Sequence, residues 1–186
     1  MKPRSRWYLV FLAGAIIAGA QNGAAQDGFL GPLKAQWENT RSLVLGMAQA
    51  IPEDKYDFKP TPEVRTFREQ LTHLVGENYM YMGRVVGESP ADMNRINSLK
   101  TRDEILKALT ESYEYGAKVW DGLTEQKAME MIAGRGGQQT QRWSPILANI
   151  IDNMDHYGNL VVYVRLNGLT PPRTAARQQS QQQPQR

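Results

Sequence analysis

The chain has no cysteine, and that one absence removes disulfides, thiolate nucleophiles and thiolate metal ligands together. Histidine is almost as scarce, with two in 186 residues. Any metal must therefore be held by imidazole, carboxylate or amide groups. Sustained alternation of apolar and polar residues is missing too, which argues against a sheet protein. The formal charge of +3 does not belong to the part that folds. Lys2, Arg4 and Arg6 sit at the amino end, and without them 19 basic groups face 19 acidic ones. Arg173, Arg177 and Arg186 lie in the carboxyl tail, so no basic face remains that would neutralise phosphates. Nucleic acid is thus excluded as an expected partner.

What is present begins with MKPRSRWYLVFLAGAIIAGAQNGAAQ. Three basic residues precede an apolar run from Trp7 to Gly19, and small residues follow, the layout of a secretory signal peptide. The run is shorter than the ~20 residues a spanning helix needs. Cleavage after Ala20 or Ala25 gives residues 1–25 as the leader and predicts a periplasmic or secreted bacterial protein. Membrane contact is expected only through the leader, if it stays uncleaved as an anchor. Without cysteine there is no lipid-attachment site. At the other end, residues 173–186 are Gln-rich, with no apolar group large enough to anchor them, and read as disordered. Residues 26–172 are left as one domain.

Four amphipathic segments account for that domain, and the fold class is all-α. The first covers residues 31–50, with Leu33, Trp37, Val44 and Met47 at helical spacing. The second opens on Thr66-Phe67-Arg68-Glu69, a capping box, and runs to about residue 86; the third opens on Thr101-Arg102-Asp103-Glu104 and runs to about 121. The fourth starts with Ser144 as N-cap and Pro145 at the first helical position, and stops at Gly168. Between the third and fourth lie about twenty residues containing Gly134-Arg135-Gly136-Gly137. A loop that long crosses the bundle or lines a site. It is no phosphate loop, because neither a preceding strand nor a Gly-Lys-Ser/Thr is present.

The fourth helix carries the informative chemistry. Its middle holds Asp152, Asn153, Asp155, His156 and Asn159, residues that each cost up to about 0.7 kcal/mol against Ala in a helix interior. At 100° per residue, Asn149, Asp152, His156, Asn159, Tyr163 and Asn167 form one stripe, while Ile146, Ile150, Met154, Tyr157, Val161 and Val164 form the expected core face. A solvated face would be rich in Lys, Glu and Arg, yet none of these occurs between residues 145 and 164. Asp152 and His156, four apart, cover the same patch, the spacing by which one helix supplies two metal ligands; an ordinary surface pair reads the same way. The other histidine, His73, lies on a flank of the second helix beside Gln70, Glu77 and Arg84. Glu77, one turn on, is placed as a spare ligand or general base.

At these residues the chain resembles the DinB-like superfamily of metalloenzymes, four-helix bundles with a long crossover connection. The likeness covers about residues 30–172, through IPEDKYDFKPTPEVRTFREQLTHL, TRDEILKALTESYEYGAKVWDGL and, most specifically, DNMDHYGNLVVYVRLNGLTPP. The resemblance implies a divalent ion held by a histidine of the second helix and two residues four apart in the fourth, which here are His73, Asp152 and His156. Asp152 departs from the family's three-histidine pattern. Two imidazoles and a carboxylate remain competent for Zn²⁺, Ni²⁺, Fe²⁺ or Mn²⁺, but the metal's retention is what the departure puts in question.

Two functions follow as expectations. One is a metal-dependent hydrolase or transferase acting on a small molecule, with Glu77 or Tyr163 transferring protons. The low-molecular-weight thiols used by cytoplasmic relatives are not carried over to an exported chain. The other is a non-catalytic exported bundle that binds metal or a small ligand, has lost its metal, or assembles as a homodimer through its helix faces. A third reading makes the Gln-rich tail the working part, as a flexible segment that adheres to surfaces.

Overall fold

The computed structural model describes residues 28–89 and 91–182; the leader lies outside them. Four long helices make the body: α1 (Leu30–Ala50), α2 (Phe67–Val86), α4 (Arg102–Asp121) and α6 (Ser144–Leu166). Short helices α3 (Met93–Asn97) and α5 (Glu125–Ala128), a hairpin of β1 (Met131–Ala133) and β2 (Gln139–Gln141), and a helix α7 (Pro172–Gln182) complete the described residues. The all-α class holds, with the hairpin as its one small sheet among the described residues. None of the described helices is long and apolar enough to cross a membrane.

Local chemistry sets the helix ends. Both capping boxes form: Thr66 and Glu69 exchange side-chain-to-backbone hydrogen bonds at the start of α2, and Thr101 and Glu104 do so at α4. Gly87, at φ 78°, closes α2 in the left-handed conformation that a Cβ would strain. The start of α6 differs from expectation. Ser144 is its first residue, and the position before it belongs to Trp143, which makes no side-chain cap. Trp143 is fixed instead by its backbone N–H to the Ala128 carbonyl, so tertiary pairing replaces the cap.

Around the bundle α2 packs between α4 and α6, and α1 between the same two helices on the other side. Helices consecutive in sequence, α1 and α2, are therefore diagonal. The connection between them is pinned by Tyr56, whose hydroxyl donates to the Ala48 carbonyl at 2.9 Å and whose ring meets Phe67 edge-on. The α4-to-α6 connection also crosses, and it folds into the hairpin, with Gly136 and Gly137 at positive φ in its turn. Arg142 ties the hairpin down, donating to the Val85 carbonyl of α2 and pairing with Glu130 at 2.9 Å.

Polar residues sit at the centre of the bundle. Asn78 Oδ1 accepts from Asn149 Nδ2 at 2.9 Å and from Asn153 Nδ2 at 3.0 Å, and its own Nδ2 donates to Ser112 Oγ at 3.0 Å. Trp37 Nε1 donates to Asn149 Oδ1, and the Tyr113 hydroxyl to Asn153 Oδ1. All four long helices are cross-linked by this one network. Of the tail expected to be disordered, residues 173–182 lie in the helix α7, which has no buried side chain, and residues 183–186 lie outside the described residues. Gln, Ala and Arg are good helix formers that need no core contact to favour the conformation.

Candidate metal centre

Because α2 and α6 are neighbours, residues from each converge along their shared edge. The α2 face presents Gln70, His73 and Glu77; the α6 face presents Asp152 and His156. The rings of His73 and His156 meet edge to face, with centroids 5.0 Å apart. His156 Nε2 stands 3.9 Å from Asp152 Oδ2, and His73 Nε2 stands 3.6 Å from Glu77 Oε1, each too long for a hydrogen bond. Gln70 completes the arrangement. Its Oε1 lies 2.8 Å from His156 Nδ1 in a buried contact, and a carbonyl oxygen can only accept. Nδ1 therefore carries the proton, and the Nε2 lone pair is left facing the site.

Electrostatics reinforce that state. Burial lowers the pKa of both histidines, with the Arg65 charge acting in the same direction; His156 also disfavours the charged form of His73, which Asp152 favours. Both imidazoles are thus held neutral, as ligation requires. Burial raises the pKa of Asp152, against the pull of His73 and Arg65. Burial and then the Asp152 charge raise that of Glu77, which Arg84, Arg65 and a hydrogen bond with Tyr81 oppose.

The donors fit a divalent ion in kind and in facing. Asp152 Oδ2 is buried without a hydrogen-bond partner, the one such side-chain acceptor among the described residues. An orphaned buried acceptor beside a free imidazole lone pair is what a cation would satisfy. The donors are not drawn together, however: among the described residues no three His, Asp or Glu side chains form a ready-made ligand cluster. Ligands at 2.0–2.2 Å from one ion stand closer to one another than the 3.9 Å seen here, so binding requires side-chain closure of the order of 1 Å.

Two clefts open onto this edge. One, of about 650 Å³, is lined by Glu77, Met80, Arg84 and Asp152 together with Gly134 and Thr140 of the hairpin. The other, of about 580 Å³, is lined by His73, Glu77, Met80, Arg84 and Met93. The crossover segment does line the site, as its length suggested.

Other members of the stripe have different work. Asn149 belongs to the buried network, together with Asn153, which lies outside the stripe. Asn159 is exposed, and Asn167 donates to the Tyr163 carbonyl at the helix end. Tyr163, a candidate for proton transfer, spends its hydroxyl on the Arg65 carbonyl and packs on Phe58 and Phe67. It is a tie between α6 and the preceding loop, and it lines neither cleft. The contact of Gln70 with His156 is what sequence reasoning, which placed Gln70 only beside His73, passed over. The available signal was its position three before His73, on the same face.

A model of the DinB family matches residues 29–186. The chain belongs to the DinB family. Solved structures agree on the DinB fold. A DinB-like protein from Bacillus cereus ATCC 10987 shares 12% identity at a TM-score of 0.69, covering 77% of this chain and 95% of that one. A DinB-like protein from Bacillus subtilis shares 18% at 0.58, covering 75% and 93%. A mycothiol-dependent maleylpyruvate isomerase shares 14% at 0.58, covering 70% of this chain and 60% of its own. No curated protein matches the chain in sequence.

Proposed function

We propose that this DinB protein is an exported metal-dependent enzyme, a hydrolase or transferase for a small molecule, with the ion held by His73, Asp152 and His156. The observation that carries the reading is Asp152 Oδ2, buried and unpartnered beside the Nε2 of His156. Zn²⁺, Ni²⁺, Fe²⁺ or Mn²⁺ suits that donor set and, when bound, would polarise a substrate oxygen or acidify a water. Gln70 fixes the His156 tautomer. Glu77, its pKa raised by burial and by Asp152, lines both clefts and is the group we assign to take up and release a proton. Met80 lines both clefts and gives a substrate an apolar contact beside it.

Export is supported by the leader and is the reason the mycothiol of the neighbouring isomerase is not proposed here. The second reading, a non-catalytic bundle, is favoured by one observation, the unclosed ligand set. A single experiment separates the two. Protein purified without a His-tag should carry stoichiometric transition metal, and His156→Ala and Asp152→Ala should each lose it. Equal trace metal in all three overturns the enzyme.

A further inference from the structure

On the side of α2 turned away from the histidines, a cavity of about 340 Å³ lies between α2, α3 and α4. Its floor is apolar: Val75 and Ile96 are buried, and Leu99 and Ala108 pack against the core. Its rim is charged, and the acids there already have donors. Asp92 Oδ1 accepts the Arg95 backbone N–H at 3.0 Å as the cap of α3. Glu104 Oε2 accepts the backbone N–H groups of Lys100 and Thr101 at 3.0 and 2.9 Å. Glu111 is paired with Lys107. Two donors on the rim remain unused. The Arg95 guanidinium has no carboxylate at ion-pair distance, and the Tyr79 hydroxyl no hydrogen bond, among the described residues. Tyr79 stays protonated at neutral pH, its pKa raised by burial and by Glu111.

We propose that this cavity binds a small amphipathic carboxylic acid, its carboxylate on Arg95 and Tyr79 and its apolar body on Val75, Ile96, Leu99 and Ala108. A planar guanidinium takes a carboxylate through two parallel hydrogen bonds. The volume stands at the small end of ligand pockets, ~300–1,000 Å³, which selects a molecule of about ten heavy atoms. The site is separate from the metal centre and does not depend on it.

The test is titration of the protein with octanoate, followed by calorimetry and by NMR, in the presence of a chelator. Octanoate should bind, octanamide should bind about tenfold more weakly, and Arg95→Gln should bring octanoate down to the level of octanamide. Ala108→Phe, which fills the floor, should abolish binding of both. Arg95 is exposed, so its variant folds, and the melting temperature of each variant confirms the comparison. No saturable binding below about 10 mM, equal affinity for acid and amide, or binding that survives Ala108→Phe would each overturn the proposal.

Discussion

Asp152 carries a cost in the metal-free protein. Its carboxylate is only 26% exposed, one oxygen has no donor, and burial raises its pKa. Near neutral pH the charge must nevertheless be borne. Asp152→Asn removes it while keeping the shape, so the metal-free variant should be more stable than the parent by about 1 kcal/mol, a rise in Tm of ~2–4 °C for a domain of this size. The same substitution should abolish metal binding. Thermal melts in chelator decide it: an unchanged or lowered Tm means the carboxylate is already satisfied. At this scale the sequence showed much. The four-residue spacing of Asp152 and His156 was visible, and His73 and Glu77 were the plain candidates on α2. The Gln70 contact was not legible, because pairing across two helices depends on their relative rotation, which periodicity within one helix does not contain. The hydrogen bond of Tyr163 was not legible either. Its position on the wheel faced the stripe, but a side chain that long reached the loop carbonyl of Arg65.

The long helices were legible in their capping boxes and apolar spacing, and α2 and α4 begin where those signals put them. The hairpin was not, since three-residue strands are too short to show alternation and Met131-Ile132-Ala133 reads as an apolar fragment. The buried face of α6 was misplaced as well. Asn149, Asn153 and His156 are among its buried residues, whereas Met154, Tyr157 and Val161 are only partly covered. A core can hold polar residues where it offers them partners, and here Asn78 supplies one amide to two others. That network carries its own prediction. Asn78→Leu would leave the Asn149 amide without its acceptor and the Ser112 hydroxyl without its donor, at ~1–3 kcal/mol for each group stranded. A loss of about 3 kcal/mol or more is expected from urea unfolding, with the helical content of the folded state unchanged. A cost below about 1 kcal/mol would mean the amides re-pair locally.

For the molecule as a whole, the two histidines of the sequence are both in this site, so any imidazole-dependent change in stability reports on it alone. Both have pKa values lowered by burial. As pH falls through the ordinary imidazole range, the unfolded chain takes up protons that the folded one refuses. Stability of the metal-free protein must then decline between about pH 7.5 and 5.5. Glu77 and Asp152 act in the opposite sense: their raised values mean that the folded state holds protons the unfolded state releases. Their contribution returns as pH falls into the carboxylate range, so the decline should flatten there. The observable is the urea midpoint in chelator across that range, for the parent and for His73→Gln, whose midpoint should fall less steeply. A metal held as proposed would steepen the parent's decline, because the same two imidazoles would have to stay unprotonated to hold it. A parent midpoint that does not move across the imidazole range would show that both histidines titrate as freely as in the unfolded chain, and that the edge between α2 and α6 is open to water. Metal retained down to about pH 4 would place it instead on a carboxylate site elsewhere in the fold.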